Sequence, residues 1–131
     1  IANEFGVSAL YAFGSRAREA LALVAHGSRF SPHGSSDLDI AALPLPGRLR
    51  TADDRVRLVL ALETVFPAPR VDLVVLSEAP PFLALAAVSG ELLFAADPTA
   101  EARYQLYVLR QAGDLAPFER ERRARLLEVR G

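Results

Sequence analysis

The sequence predicts an α/β or α+β domain, a small mixed β-sheet of three to four strands flanked by helices, and three observations carry that expectation. Short apolar runs rich in β-branched or aromatic residues recur as "VSALYAF", "DLDIAAL" and "RVDLVVL". Longer segments rich in Ala, Leu and Arg lie between them, and Gly or Pro marks most of the joins. Strands alternating with helices build such a layered domain. With 131 residues the chain is long enough for one domain over 1–131 with a core of its own.

The elements follow in order. "VSALYAF", 7–13, is apolar, carries Tyr11 and Phe13, and stops at Gly14, as a short buried strand does. "SRAREALALVA", 15–25, reads as a helix with Ser15 as its N-cap and Glu19 in the early turns. "HGSRFSPHGSS", 26–36, gathers Gly, Ser and Pro into a loop. "DLDIAAL", 37–43, resumes as a strand and "PLPG", 44–47, ends it. Between Thr51 and Phe66, apolar residues at Val56, Val59, Leu60, Leu62 and Phe66 keep helical spacing behind the opening "TADD". "RVDLVVL", 70–76, is the third strand. "PPFLALAAVSG" begins with prolines suited to a helix N-terminus and stops at Gly90, and "ELLFAA" follows as a fourth, edge strand. The last third, from Asp97 to Arg130, reads as two helices divided near Gly113–Pro117.

Composition narrows the chemistry. The chain has no Cys, so any metal must be held by oxygen or His ligands, and disulfides are excluded. That suits a cytoplasmic protein. No apolar run reaches the roughly 18 residues of a membrane span, and no signal-peptide pattern opens the sequence. A net charge of −1 gives no argument for nucleic acid, and the basic run "RERRAR" at 120–125 reads as a solvated helix face. All 15 basic residues are Arg.

The chemistry concentrates in three aspartates. Side chains alternate along a strand, so Asp37 and Asp39 project to one face while Leu38 and Ile40 enter the core. Asp72 sits on the next strand between Val71 and Leu73, and strands joined by one helix often lie side by side. Aspartate is depleted in strands, and carboxylates brought together repel unless a cation holds them ionised. Three Asp oxygens suit Mg²⁺ or Mn²⁺, which keep water and phosphate oxygens as their other ligands. A Gly-Ser at a strand-to-helix turn adds an anion site, because Gly lets the backbone approach a phosphate and the helix N-terminus presents amides to it.

Two Gly-Ser-Arg tripeptides precede the aspartates, Gly14-Ser15-Arg16 and Gly27-Ser28-Arg29. Only the first follows a predicted strand; the second follows a predicted helix and sits in the Gly/Pro-rich loop.

With "LYAFGSRAR" at 10–18, "SDLDIAAL" at 36–43, "VDLVVL" at 71–76 and "APPFLALAAVSGELLFAADP" at 79–98, the chain resembles the minimal nucleotidyltransferases, the MntA antitoxin-like family of the DNA polymerase β superfamily. The resemblance covers most of the chain. It implies the nucleotidyltransferase fold and transfer of a nucleoside monophosphate, AMP from ATP, with two Mg²⁺ ions or Mn²⁺ in their place. It further implies that Asp37 and Asp39 hold both metals, that Asp72 completes the metal site beside the attacking hydroxyl and helps to deprotonate it, and that Gly14 and Ser15 bind the terminal phosphates. Arg16 and Arg18 are open to two placements, on the phosphates or in solvent. Many members are encoded beside a HEPN-domain protein, so the expected acceptor is a tyrosine of a HEPN toxin. The chain is short for an acceptor-binding domain of its own, which favours a separate partner over a homodimeric cleft. A small hydroxylated acceptor, or an antitoxin acting by contact alone, are the other readings.

The sequence departs from the family in one respect. Residues 16–36 separate Ser15 from Asp37, whereas the family has a much shorter stretch, closer to the one between Ser28 and Asp37. An insertion over roughly 19–34 is therefore expected, with Gly14-Ser15 as the phosphate loop and His26 and His33 as exposed residues flanking the second Gly-Ser.

Overall fold

The computed structural model describes residues 2–28 and 37–113. The elements are α1 (Ala2–Phe5), β1 (Val7–Phe13), α2 (Ala17–His26), β2 (Leu38–Pro44), α3 (Ala52–Val65), β3 (Val71–Val75), a 3₁₀ turn (Leu76–Glu78), α4 (Pro81–Val88) and β4 (Glu91–Ala95). Residues 98–113 are helical and form α5. The four strands form one mixed sheet in the order β3-β2-β1-β4. β1 runs antiparallel to β2 and to β4, while β2 and β3 are parallel. The parallel pair needs a crossover, and α3 supplies it.

Two layers of helices cover the sheet. On one face Leu10, Ala12, Leu38, Ile40 and Val71 pack with Ala17 and Ala20 of α2 and with Leu58 and Leu62 of α3. On the other, Ala9, Tyr11 and Ala41 meet Ala84 and Ala87 of α4 and Val108 of α5. The strict alternation of β2 decides the sorting: Leu38 and Ile40, both fully buried, belong to the first face, and Ala41 to the second. No helix among the described residues is long and apolar enough to cross a membrane.

The predicted strands and central helices are present, with shifts at their ends. α1 has no counterpart in the sequence expectation, since four residues carry no readable periodicity. β2 starts at Leu38, leaving Asp37 just ahead of the ladder, and runs through Pro44. The strand expected over 70–76 is Val71–Val75, and Leu76 already turns into the 3₁₀ segment. Thr51 caps α3 as expected, its hydroxyl accepting from the Asp54 amide at 3.1 Å. Ser15 does not cap α2. Arg16 holds the N-cap position without a side-chain capping bond, because the chain leaves β1 through Gly14 in a left-handed conformation and turns once more before the helix begins. Ser36, Arg29, His33, the helix expected after Pro117 and the basic run at 120–125 lie outside the described residues.

Candidate functional site

Strand directions bring the site together. Because β1 is antiparallel to β2 and β3 is parallel to it, the end of β1 and the starts of β2 and β3 lie at one end of the sheet. Phe13 pairs with Asp39, and Asp39 pairs with Asp72, so the turn after β1 and the two aspartates form a row across three strands. Asp39 and Asp72 point to the same face, opposite to the buried Leu38, Ile40 and Val71.

Gly14 ends β1 with φ +78°. A Cβ built there would stand 2.6 Å from Asp39 Oδ2, so the carboxylate occupies the space that any larger residue would fill. The Asp39 carboxyl is raised above the usual carboxylate range, first by burial and then by the Asp72 and Asp37 carboxylates beside it. The two neighbouring carboxylates thus oppose the ionisation of Asp39, which a divalent cation would relieve. Among the described residues no three His, Asp or Glu side chains already form a ligand cage. Asp72 instead meets Arg70, Oδ1 to Nε at 3.0 Å, in a solvent-exposed ion pair. Oxygen donors, mutual repulsion and a half-open position fit Mg²⁺.

Of the two placements open to Arg16, the one in solvent is not the one found. Its guanidinium is not in solvent, at 3% exposure, and donates to Glu19 Oε2 at 3.0 Å across the first turn of α2. Arg18 is exposed. Sequence reasoning missed Arg70 as the partner of Asp72, although Arg70 stands two residues ahead of it and any strand places such neighbours on one face.

The second Gly-Ser has another task. Gly27, at φ +66°, is the C-cap of α2; its amide donates to Leu23 O at 2.9 Å and the Ser28 amide to Ala22 O at 3.3 Å. The bond from the Gly27 amide to Leu23 O closes the helix in the αL arrangement. Nothing lies within 4 Å of a Cβ built on Gly27. His26 is the last residue of α2 and exposed.

Behind the row, Tyr11 is fully buried and its hydroxyl donates to Glu101 Oε1 at 2.7 Å. Burial and the Glu101 carboxylate hold that phenol well above the ordinary tyrosine range. The bond ties β1 to α5 two residues before Phe13.

The fold is similar to that of chains in several solved toxin–antitoxin structures. A crystal structure of the toxin–antitoxin pair MntA–HpeT, in a mutant with two aspartates changed to glutamate, matches 99% of this chain and 93% of its own at 20% identity and a TM-score of 0.67. A crystal structure of the toxin–antitoxin with AMP-PNP matches over the same shares, again at 20% identity, with a TM-score of 0.62. A third, the tri-AMPylated HEPN toxin of Shewanella oneidensis in complex with its MNT antitoxin, matches 96% of this chain and 85% of its own at 21% identity and a TM-score of 0.55. No curated protein matches the sequence. The family model for polymerase β nucleotidyltransferases matches residues 1–99, and on that match the chain belongs to the polymerase β nucleotidyltransferase family.

Proposed function

We propose that the protein is a Mg²⁺-dependent adenylyltransferase that moves AMP from ATP to a hydroxyl group, the acceptor being a tyrosine of a HEPN toxin. The observation that carries this reading is the row Gly14, Asp39, Asp72, in which a glycine cleared for close approach adjoins two aspartates in register on neighbouring strands. The fold likeness to an antitoxin bound to an AMPylated HEPN toxin supports the choice of acceptor.

In this reading Asp37 and Asp39 would hold both ions and Asp72 would complete the metal site. Magnesium, when bound, would supply positive charge that offsets the charge on the transferred phosphoryl group. The Gly14 and Ser15 amides and the Ser15 hydroxyl bind the terminal phosphates at the start of α2. Arg16, buried under that turn, adds positive potential there while its ion pair with Glu19 keeps the turn in place. Asp72 accepts the proton that leaves the acceptor hydroxyl.

The test uses radiolabelled ATP and Mg²⁺, with and without a HEPN toxin, comparing the native chain with Asp39→Ala. The expected result is label on the toxin that requires Mg²⁺ and disappears in the variant. Transfer that persists in Asp39→Ala would sink the metal assignment. No transfer to any acceptor would favour an antitoxin that acts by contact.

A further inference from the structure

β3 is the end strand of the sheet, and among the described residues nothing pairs with its outer edge. The Leu38 amide donates to Arg70 O, which sets the parallel ladder so that Asp72 and Val74 turn their backbone groups toward β2. The N–H and C=O groups of Val71 and Leu73 therefore point outward. Along this edge runs a groove of about 630 Å³. Its far wall is α3, where Val56, Leu60 and Glu63 line the groove and Val59 reaches from it to the core cluster of Leu58 and Leu62. Val56 and Leu60 are 56% and 59% exposed.

The groove has charged ends. At one, Arg55 donates twice to Glu78, Nη1 to Oε2 at 3.0 Å and Nη2 to Oε1 at 2.7 Å, and so joins α3 to the 3₁₀ turn. At the other stands the Arg70–Asp72 pair. Glu63 lines the wall between apolar residues with no ion-pair partner among the described residues. The groove lies on the β3 side of Asp72, whereas Gly14 lies on the β1 side of Asp39. Nucleophile and leaving group approach phosphorus from opposite sides, so phosphates held at Gly14 leave the groove to the acceptor.

We propose that this groove binds an extended polypeptide segment, which adds to β3 as a further strand, sets a basic side chain against Glu63 and brings a hydroxyl side chain to Asp72. Outward backbone groups on alternate residues recognise a main chain, and apolar walls take its alternate side chains. Its chemistry rests on the transfer reading above; its binding does not. The acceptor oxygen bonds to the α-phosphorus of the nucleoside triphosphate, the bond from that phosphorus to the bridging oxygen breaks, pyrophosphate leaves, and the hydroxyl proton passes to Asp72.

The experiment uses the full chain and a degenerate pool of fluorescent eight-residue peptides, with tyrosine and arginine fixed and Val, Ile or Thr elsewhere, read by anisotropy. Leu60→Asp and Val56→Asp change exposed positions, and their folding is checked by circular dichroism. Binding is expected to weaken about tenfold in Leu60→Asp, in Val56→Asp and with peptides N-methylated at alternate amides, which lose the edge bonds. Asp39→Ala should bind the pool like the native chain, and Glu63→Arg should reverse the preference for arginine. Equal binding of methylated and unmethylated peptides, absence of binding, or a dimer that Leu60→Asp dissolves would each overturn the proposal. Tyrosinamide serves as a minimal acceptor in parallel. Label on tyrosinamide without any advantage for the pool overturns the docking alone; a bound pool with no label anywhere supports the docking and overturns the transfer.

Discussion

Gly14-Ser15 and Gly27-Ser28 share sequence and nearly share backbone, with φ +78° and +66° at the two glycines, yet they need glycine for different reasons. At Gly27 the left-handed turn lets its amide close α2, and a side chain would meet open space. At Gly14 a side chain would meet the Asp39 carboxylate. One glycine is a helix stop; the other is a clearance. A tripeptide repeated in sequence is thus distinguished by what stands beside its missing Cβ.

The largest effect should separate the two by substitution. Gly14→Ala is expected to lower nucleotide transfer about 10²-fold by pushing Asp39 aside, while Gly27→Ala stays within about twofold. Both should lose a similar stability of about 1–2 kcal/mol for a left-handed alanine, read by denaturant unfolding. Asparagine, which tolerates that conformation, should restore stability at 27 and leave transfer impaired at 14. Equal loss of transfer at the two positions would break the comparison.

A smaller effect concerns the hydroxyls. Ser15→Ala should weaken ATP binding about fivefold, the worth of one neutral hydrogen bond, measured by calorimetry with Mg²⁺ present. Ser28→Ala should leave it unchanged, and the reverse order would move the phosphate loop to the second Gly-Ser.

The smallest effect is on metal-free stability. The folded Asp39 carboxyl is raised, so above its unfolded value of 3.8 the folded state binds more protons than the unfolded one, and stability falls as pH rises through the folded value. Asp39→Asn removes that penalty. It should raise the melting temperature at pH 7 without metal, and the gain should fade toward pH 4. An unchanged or lowered melting temperature at pH 7 would show that the carboxylates are not opposing one another.

Much of this arrangement is legible in the amino-acid sequence. Alternation in "DLDIAAL" and "VDLVVL" put Asp39 and Asp72 on one face because Leu38, Ile40 and Val71 are buried, whereas Asp37, expected in the same strand, stands just ahead of the ladder. The Thr51 cap was legible because its signal lies within four residues. Other features depend on contacts that no local pattern encodes. The start of α2 moved past Ser15 because Gly14 redirects the chain against Asp39, a residue far along the sequence. The burial of Arg16 depends on what packs over that turn, and α1 was too short to carry a period. The groove beside β3 required the strand order, which the sequence left open.

The hydrogen bond from Tyr11 to Glu101 bears on where this molecule can be divided. The family match ends at residue 99, two positions short of the carboxylate that receives the Tyr11 hydroxyl. A chain cut at that border would keep every aspartate of the row but leave a phenol inside the sheet with no acceptor and uncover the face that Val108 closes. Shared ancestry and cooperative folding therefore draw different borders here, and a minimal catalytic fragment has to be chosen by the second.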